Sequence, residues 1–350
     1  MSKLYLIREK STRFGGAEVY LSRLAKALDD NGVDHQVVNS IFPKFLPSWL
    51  RIILFNLQVC LTKKNKFYFS LERIVCPDIY RAGDGVHKVF LNIENKSKLN
   101  PLHPIYLYLE KRCFNSAKRI IANSHMIKDE IINTYSINPN KIDIVYNGIK
   151  PKKVDYKSSF NKLSKEFELD KGLSILLYVG SGFKRKGVEE FLEIIAKLKT
   201  KNIQAFIIGK ENNLDYYKRL SKDLKIDKKV IFTGPRRDVD DFYAISDVFL
   251  FPTRYEPFSN VVLEAMSSEN AVFTTQQNGA HEVLEKKYIM SHSKDLSVVS
   301  KIDRLFENPQ ELDNIKRINQ SKSNALSIEL NMKKTIEVIN KAERADAEFY

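Results

Sequence analysis

Cysteine is scarce in this chain: three in 350 residues, at positions 60, 76 and 113. So few, odd in number and widely spaced, predict neither a disulfide framework nor a zinc cluster, and they fit a reducing compartment. Long apolar runs are also lacking. The most hydrophobic stretch, Phe45 to Leu61, is broken by Ser48, Arg51, Asn56 and Gln58, whereas a bilayer span needs about 20 clean residues. The start places Arg8, Glu9 and Lys10 directly after a short apolar run, which is no export signal. These absences predict a cytoplasmic chain that is soluble or rests on a surface.

What is present is apolar content and positive charge. Hydrophobic residues make up 43%, enough for two domains with their own cores and too much for a disordered chain. The 57 Lys+Arg against 43 Asp+Glu leave +14. Residues 1–150 carry +10 of it and residues 151–350 carry +4. A basic first part predicts an anionic partner: nucleic acid, an acidic membrane or a phosphorylated substrate.

Periodicity predicts strands at Leu4 to Ile7, His35 to Asn39, Arg119 to Ala122 and Ile142 to Tyr146. A helix between the first two has Ala17, Leu21, Leu24, Ala25 and Leu28 on one face and stops at Gly32. From Ile175 onward strands and helices alternate up to Thr274, and the end of the chain is helical. The Lys- and Ser-rich stretch Lys150 to Lys171 reads as the join between two α/β units. Such units build parallel sheets that bind ligands at the carboxyl ends of their strands.

Three loops at such ends carry candidate chemistry. Arg13-Phe14-Gly15-Gly16 opens the first helix, and paired glycines allow close approach of an anion; the loop lacks the GxGxxG of nicotinamide enzymes. Gly180-Ser181-Gly182-Phe183-Lys184-Arg185-Lys186-Gly187 combines glycines with three cations ahead of a helix. That suits a diphosphate, with Arg185 bidentate and Lys186 a point charge, although it is no P-loop. The loop Glu256-Pro257-Phe258-Ser259-Asn260 leads into a helix capped by Ser259, placing Glu256 before the helix and Glu264 within it. Carboxylates there are acceptors for sugar hydroxyls.

These motifs, in the order Phe14 to Glu18, Asn147-Gly148-Ile149, Gly180 to Gly187, Gly234 and Glu256 to Met266, resemble the retaining glycosyltransferases of GT-B fold called family 4. The stretches Val179 to Val188 and Asp78 to Asp84 resemble the lipopolysaccharide core glucosyltransferases within it. The resemblance implies two Rossmann-like domains, 1–150 and 151–325, facing a cleft, with a helix in 326–350 crossing back to the first. It implies that Gly15, Gly16, Gly180, Ser181, Gly234, Phe258, Ser259 and Asn260 border a sugar-nucleotide donor. By the same resemblance Arg185 and Lys186 neutralise its diphosphate, Glu256 lies at the sugar and Glu264 holds the ribose. Asn147-Gly148 becomes the interdomain hinge. Asp84 or His87 positions the acceptor, which side being left open. No metal or cofactor is expected beyond a UDP-sugar co-substrate. The sequence departs from the family in Pro257 and Ser259, where Gly is usual, and in Lys150, where Asp is common.

The basic first part then suggests an anionic glycolipid acceptor at the inner membrane face. Residues 45–54 with Lys44, Arg51, Lys63, Lys64 and Lys66, and residues 104–113 with Lys111 and Arg112, are candidate amphipathic surfaces. A nucleic-acid-binding protein is disfavoured because no RNP or recognition-helix pattern occurs. A catalytically dead sugar-nucleotide binder and an enzyme acting on capsule, protein glycan or soluble acceptors are the competing readings.

Overall fold

The computed structural model describes residues 3–10, 16–95 and 100–347, with side chains to Arg344. The described residues form two compact units. One runs to Asn147 and takes in the chain from Ile328 onward; the other is Gly148–Ser327.

In the first unit β1 (Leu4–Ile7), α1 (Gly16–Asp30), β2 (His35–Val38), α2 (Ser48–Lys63), β3 (Phe67–Ser70) and β4 (Ile79–Ala82) come first. Then follow α3 (His87–Ile93), α4 (Leu102–Ser116), β5 (Arg119–Ala122), α5 (His125–Tyr135) and β6 (Ile142–Ile144). The strands lie in the order β2-β1-β3-β4-β5-β6, all parallel. Every residue of β3 and β4 is buried, which explains their lack of alternation.

The second unit holds α6 (Tyr156–Phe167), β7 (Ser174–Val179), α7 (Phe183–Lys186), α8 (Val188–Lys197), β8 (Ile203–Ile208), α9 (Leu214–Asp223) and β9 (Val230–Gly234). After them come α10 (Val239–Ile245), β10 (Val248–Phe251), α11 (Asn260–Ser267), β11 (Ala271–Thr275), β12 (Ile289–Met290), α12 (Ser297–Glu307) and α13 (Pro309–Asn324). The strand order is β12-β11-β10-β7-β8-β9, again parallel.

The last helix, α14 (Ile328–Ala347), belongs to the first unit. Its Met332, Val338, Ile339 and Ala342 share a core with Leu24 and Leu28 of α1 and with Leu4 and Leu6 of β1. Three polar contacts fix its register. Thr335 Oγ1 meets Tyr20 OH at 3.0 Å, Asn331 donates to the Tyr146 carbonyl, and Lys341 reaches Asp143 at 3.3 Å. Arg81 lies 3.7 Å over the Tyr20 ring and donates to Asn147 Oδ1 at 2.8 Å.

Two expectations are corrected, and one unforeseen pair comes together. The Lys150 to Lys171 stretch is no join: it contains α6, whose Tyr156, Phe160, Leu163 and Phe167 recur at helical spacing among the Lys and Ser. Phe160 and Leu163 are buried, and Phe167 meets Phe206 and Phe242 edge-on. The chain passes between the units at Asn147/Gly148, the pair that the resemblance implies as the hinge. The charge is also less lopsided once α14 is counted where it packs. The first unit then has 26 Lys+Arg against 18 Asp+Glu and the second 31 against 25, so +8 and +6. Finally, Cys60 and Cys76 are neighbours in space, their sulfurs 2.7 Å apart.

Candidate functional site

In the second sheet successive strands run outward from β7 through β8 to β9 on one side, and from β10 through β11 to β12 on the other. The order reverses between β7 and β10. At such a switch point the two following loops turn to opposite faces and leave a crevice at the carboxyl edge. The loops there are 180–187 and 252–259.

The first is shorter than a loop and more ordered. Gly182 and Gly187 both adopt left-handed backbone, and between them Phe183–Lys186 forms the single turn α7. Arg185 and Lys186 therefore stand on a helical turn of their own, directly ahead of α8 as the sequence predicts. Gly187 is fixed by contact as well as by φ: a Cβ there would lie 1.9 Å from the Pro252 carbonyl oxygen. That close approach seats α7 against the loop after β10.

The chemistry meets at Glu256. Arg185 Nη1 donates to the Tyr255 carbonyl at 2.7 Å and to the Glu256 carboxylate. Lys186 Nζ lies 4.0 Å from the same carboxylate and 5.6 Å from the Phe251 ring centre. Backbone bonds pin Glu256 from both sides, its N–H donating to Gln277 O at 2.9 Å and its C=O accepting from Gly279 N–H at 3.0 Å. Two cations against one carboxylate leave net positive charge. Burial pushes the Lys186 ammonium pKa below its usual value, the Arg185 charge adds to this, and Glu256 opposes it. An incoming diphosphate would reverse that penalty. Beneath the cluster the Tyr178 hydroxyl is buried with no hydrogen-bond partner; burial, then the Glu256 charge, drives its pKa up.

The remaining donor candidates divide. Gly180 is packed so that a Cβ would stand 3.0 Å from Lys186 Cδ, so it borders the cluster. Ser181 is exposed and its Oγ accepts from Lys210 N–H at 3.0 Å, tying the loops after β7 and β8 together. The Gly234 carbonyl accepts from Gly209 N–H at 3.1 Å. Phe258 is buried and Asn260 exposed. Ser259 occupies the N-cap of α11 but makes no side-chain cap bond. Asn278 Oδ1 instead accepts from Ser259 N–H and Ala280 N–H, each at 3.2 Å, which leaves the Ser hydroxyl without that task. Glu264 accepts from Tyr243 OH at 3.2 Å.

The first sheet has its own switch point, between β1 and β3. There Arg8 donates to Glu72 at 2.7 Å and Glu18 at 2.8 Å, while Arg51 donates to Glu9. Gly16 is the exposed first residue of α1; Arg13, Phe14 and Gly15 lie outside the described residues. Asp78, from the acidic motif, is structural. It is buried, accepts from Tyr68 N–H at 2.8 Å, and pairs with Lys63 and Lys118. Asp84 is exposed.

His87 opens α3, its Nε2 3.2 Å from His103 Nδ1 and its ring 5.1 Å from that of Tyr106. Burial, reinforced by Arg73, pushes its pKa down to about 4, so at neutral pH it is an uncharged hydrogen-bonding group. Behind it the fully buried Glu110 takes Arg73 Nε at 3.0 Å, His87 N–H at 2.7 Å and Tyr135 OH at 2.6 Å.

Residues 159–322 match the family model described as glycosyl transferases group 1, and residues 83–153 match that of glycosyltransferase family 4. The two segments are glycosyltransferase group 1 and family 4 domains, and the fold is GT-B. The capsular polysaccharide biosynthesis glycosyltransferase CapM of Staphylococcus aureus is 31% identical over 213 residues, 57% of this chain and 55% of that protein. The lipopolysaccharide glucosyltransferase WaaG of Escherichia coli K12 is 27% identical over 221 residues, 59% and 58% of the two chains. A crystal structure of WaaG superposes with a TM-score of 0.76 at 19% identity, covering 96% of this chain and 99% of that one. HepE of Anabaena, solved with UDP and glucose, gives 0.75 at 16% identity over 97% and 100%. The chain spans about half the length of the curated relatives it matches by sequence.

Several features of this chain are not legible in its sequence. The Arg8–Glu72 pair, the Glu110 cluster and the Asn278 clamp join residues far apart in the chain. An Asp-x-Asp spacing does occur, Asp238-Val239-Asp240, but Asp238 is bound by Arg236 and Lys162 and Asp240 by Lys152. The amphipathic stretches are only partly what charge suggested. Arg51 is buried against Glu9, and α2 buries Ile52, Phe55 and Val59. Its other face exposes Trp49, Ile53, Leu57 and Leu61, four apart, and Tyr108 of α4 is exposed too. No helix of the described residues is long and apolar enough to cross a membrane.

Proposed function

We propose that this chain is a retaining hexosyltransferase that moves glucose from UDP-glucose to a lipopolysaccharide or lipooligosaccharide core acceptor at the inner face of the cytoplasmic membrane. The observation that carries the proposal is the pairing of Arg185 and Lys186 with Glu256 at the β7/β10 switch point, inside the segment matching the group 1 family model.

In the transfer the bond between the anomeric carbon and the diphosphate oxygen breaks, and negative charge grows on the leaving group. Arg185 and Lys186 stabilise that charge as it develops, so no metal ion is required for it. Glu256, released from part of its pairing when the diphosphate takes the cations, faces the sugar and supports positive charge at the ring. The departing phosphate oxygen takes the acceptor hydroxyl's proton on the same face, so the configuration is retained without a protein base. Asp84 or His87 positions the acceptor, and an uncharged His87 suits a hydroxyl. WaaG's lipopolysaccharide glucosyltransferase activity and HepE's binding of UDP and glucose support the choice of donor and acceptor. The exposed stripe on α2 supports a membrane-bound acceptor.

A second acceptor reading, a capsule precursor, is favoured by the CapM similarity. Incubating the protein with UDP-glucose, UDP-galactose, UDP-N-acetylglucosamine, and GDP- and ADP-glucose, with core lipid or capsule precursor and excess chelator, tests the proposal. α-Linked glucose on core lipid from UDP-glucose is expected. Transfer to the capsule precursor alone would replace the acceptor, and a β-linked or chelator-abolished product would overturn the mechanism.

A further inference from the structure

Cys60 lies in α2 and Cys76 in the segment between β3 and β4, sixteen positions later, with sulfurs 2.7 Å apart. Their meeting is held from both sides. One turn before Cys60, Asn56 Oδ1 accepts from Val75 N–H at 3.0 Å and Asn56 Nδ2 donates to the Arg73 carbonyl at 3.4 Å. One turn after it, Lys63 pairs with Asp78. Helix and segment are thus clamped at both flanks, and the two thiols cannot separate without breaking these bonds.

We propose that Cys60 and Cys76 form a reversible intramolecular disulfide, an oxidative modification site that ties α2 to residues 71–78. The oxidant is a small-molecule disulfide such as oxidised glutathione. The Cys60 thiolate attacks one of its sulfurs, forming a mixed disulfide and releasing one glutathione thiol. The Cys76 thiolate then attacks the Cys60 sulfur and releases the second. Two protein S–H bonds are lost and one S–S bond is gained; the oxidant takes up both electrons and both protons as two thiols.

Access and reactivity agree with this order. Cys60 lines an apolar cavity of about 540 Å³ with Ile53, Leu57, Val75 and Tyr108, and both thiols are half-buried. The Cys76 contact, then the Lys63 charge, lowers the Cys60 thiol against the opposing effect of burial, whereas Cys76 is pushed up. A thiolate forms more readily at Cys60, which makes it the attacking group. Cys113 is fully buried and its thiol is pushed up by that burial, so it stays reduced. The tied segment carries Glu72 and Arg73, the partners of Arg8 and Glu110; oxidation therefore stiffens the loop after β3.

The test equilibrates the full chain with a series of reduced and oxidised glutathione ratios and reads intact mass and linked peptides. Expected are a loss of two hydrogens, one cross-linked peptide pair joining Cys60 to Cys76, and one thiol, Cys113, left to react after denaturation. The oxidised wild type melts several degrees higher than the reduced protein. Cys60→Ser and Cys76→Ser each abolish both the mass loss and the shift. Three reactive thiols at every ratio, or glutathione adducts without the cross-link, would overturn the proposal. The readout does not depend on the transfer activity.

Discussion

Arg185 and Glu256 are 71 positions apart in the chain and joined by a hydrogen-bonded ion pair, with the same guanidinium held by the Tyr255 carbonyl at 2.7 Å. A single guanidinium nitrogen, Nη1, makes both contacts and leaves the rest of the planar fork for an anion, an arrangement that an ammonium on a flexible stem reproduces poorly. Arg185→Lys keeps the charge and loses the planar group. It is expected to lower kcat/KM for the donor by about tenfold, equivalent to ~1.4 kcal/mol. Steady-state kinetics against donor concentration measure this.

The lowered pKa of Lys186 sets a pH limit on activity. In the proposed reaction its ammonium form meets the diphosphate, so kcat/KM is expected to fall as pH rises through a value below the ordinary 10.5. The stability effect has the opposite sign. Between the folded and unfolded values the unfolded chain holds the extra proton, so unfolding free energy rises with pH there. Lys186→Arg, which does not titrate in this range, is expected to remove the basic limb of the pH–rate profile.

Gly187 and Gly182 share a left-handed backbone and differ in surroundings. A Cβ at Gly187 would meet backbone atoms of Pro252 at 1.9 and 2.7 Å, while Gly182 has nothing within 4 Å. Gly182→Ala is expected to cost about 1–2 kcal/mol from φ alone. Gly187→Ala must also push the 252–259 loop away, so it is expected to cost well over that and to weaken donor binding. Urea unfolding of the two variants separates the contributions.

His87 makes stability depend on acid. The unfolded imidazole takes its proton near 6.5 and the folded one near 4, so the unfolded state gains protons first as pH falls. Unfolding free energy is expected to decline from pH 6.5 toward pH 4. His87→Gln flattens that part of the curve, as chemical unfolding at a series of pH values can check.

Much of the fold was legible because buried parallel strands and amphipathic helices leave periodic marks. The strands Leu4–Ile7 and Arg119–Ala122 lie where the pattern puts them. α6 was hidden because four apolar residues among Lys and Ser make a thin stripe. Between Asn39 and Arg119 the pattern predicts no strand, because β3 and β4 are short and buried on both faces. At the site, Arg185, Lys186 and Glu256 stood out as charges after strands. Their mutual pairing needed the β7/β10 reversal, which chain order alone does not reveal. The charge asymmetry faded for a related reason, since α14 packs with elements more than 300 residues before it.

The most direct test of the account is transfer of labelled glucose from UDP-glucose by the wild type, Glu256→Gln and Lys186→Ala, with thermal melts alongside. The account predicts product from the wild type and losses of about 10²-fold or more in each variant, the scale for removing one group that stabilises transition-state charge, with melting temperatures near that of the wild type. Variants that transfer glucose at the wild-type rate would contradict it.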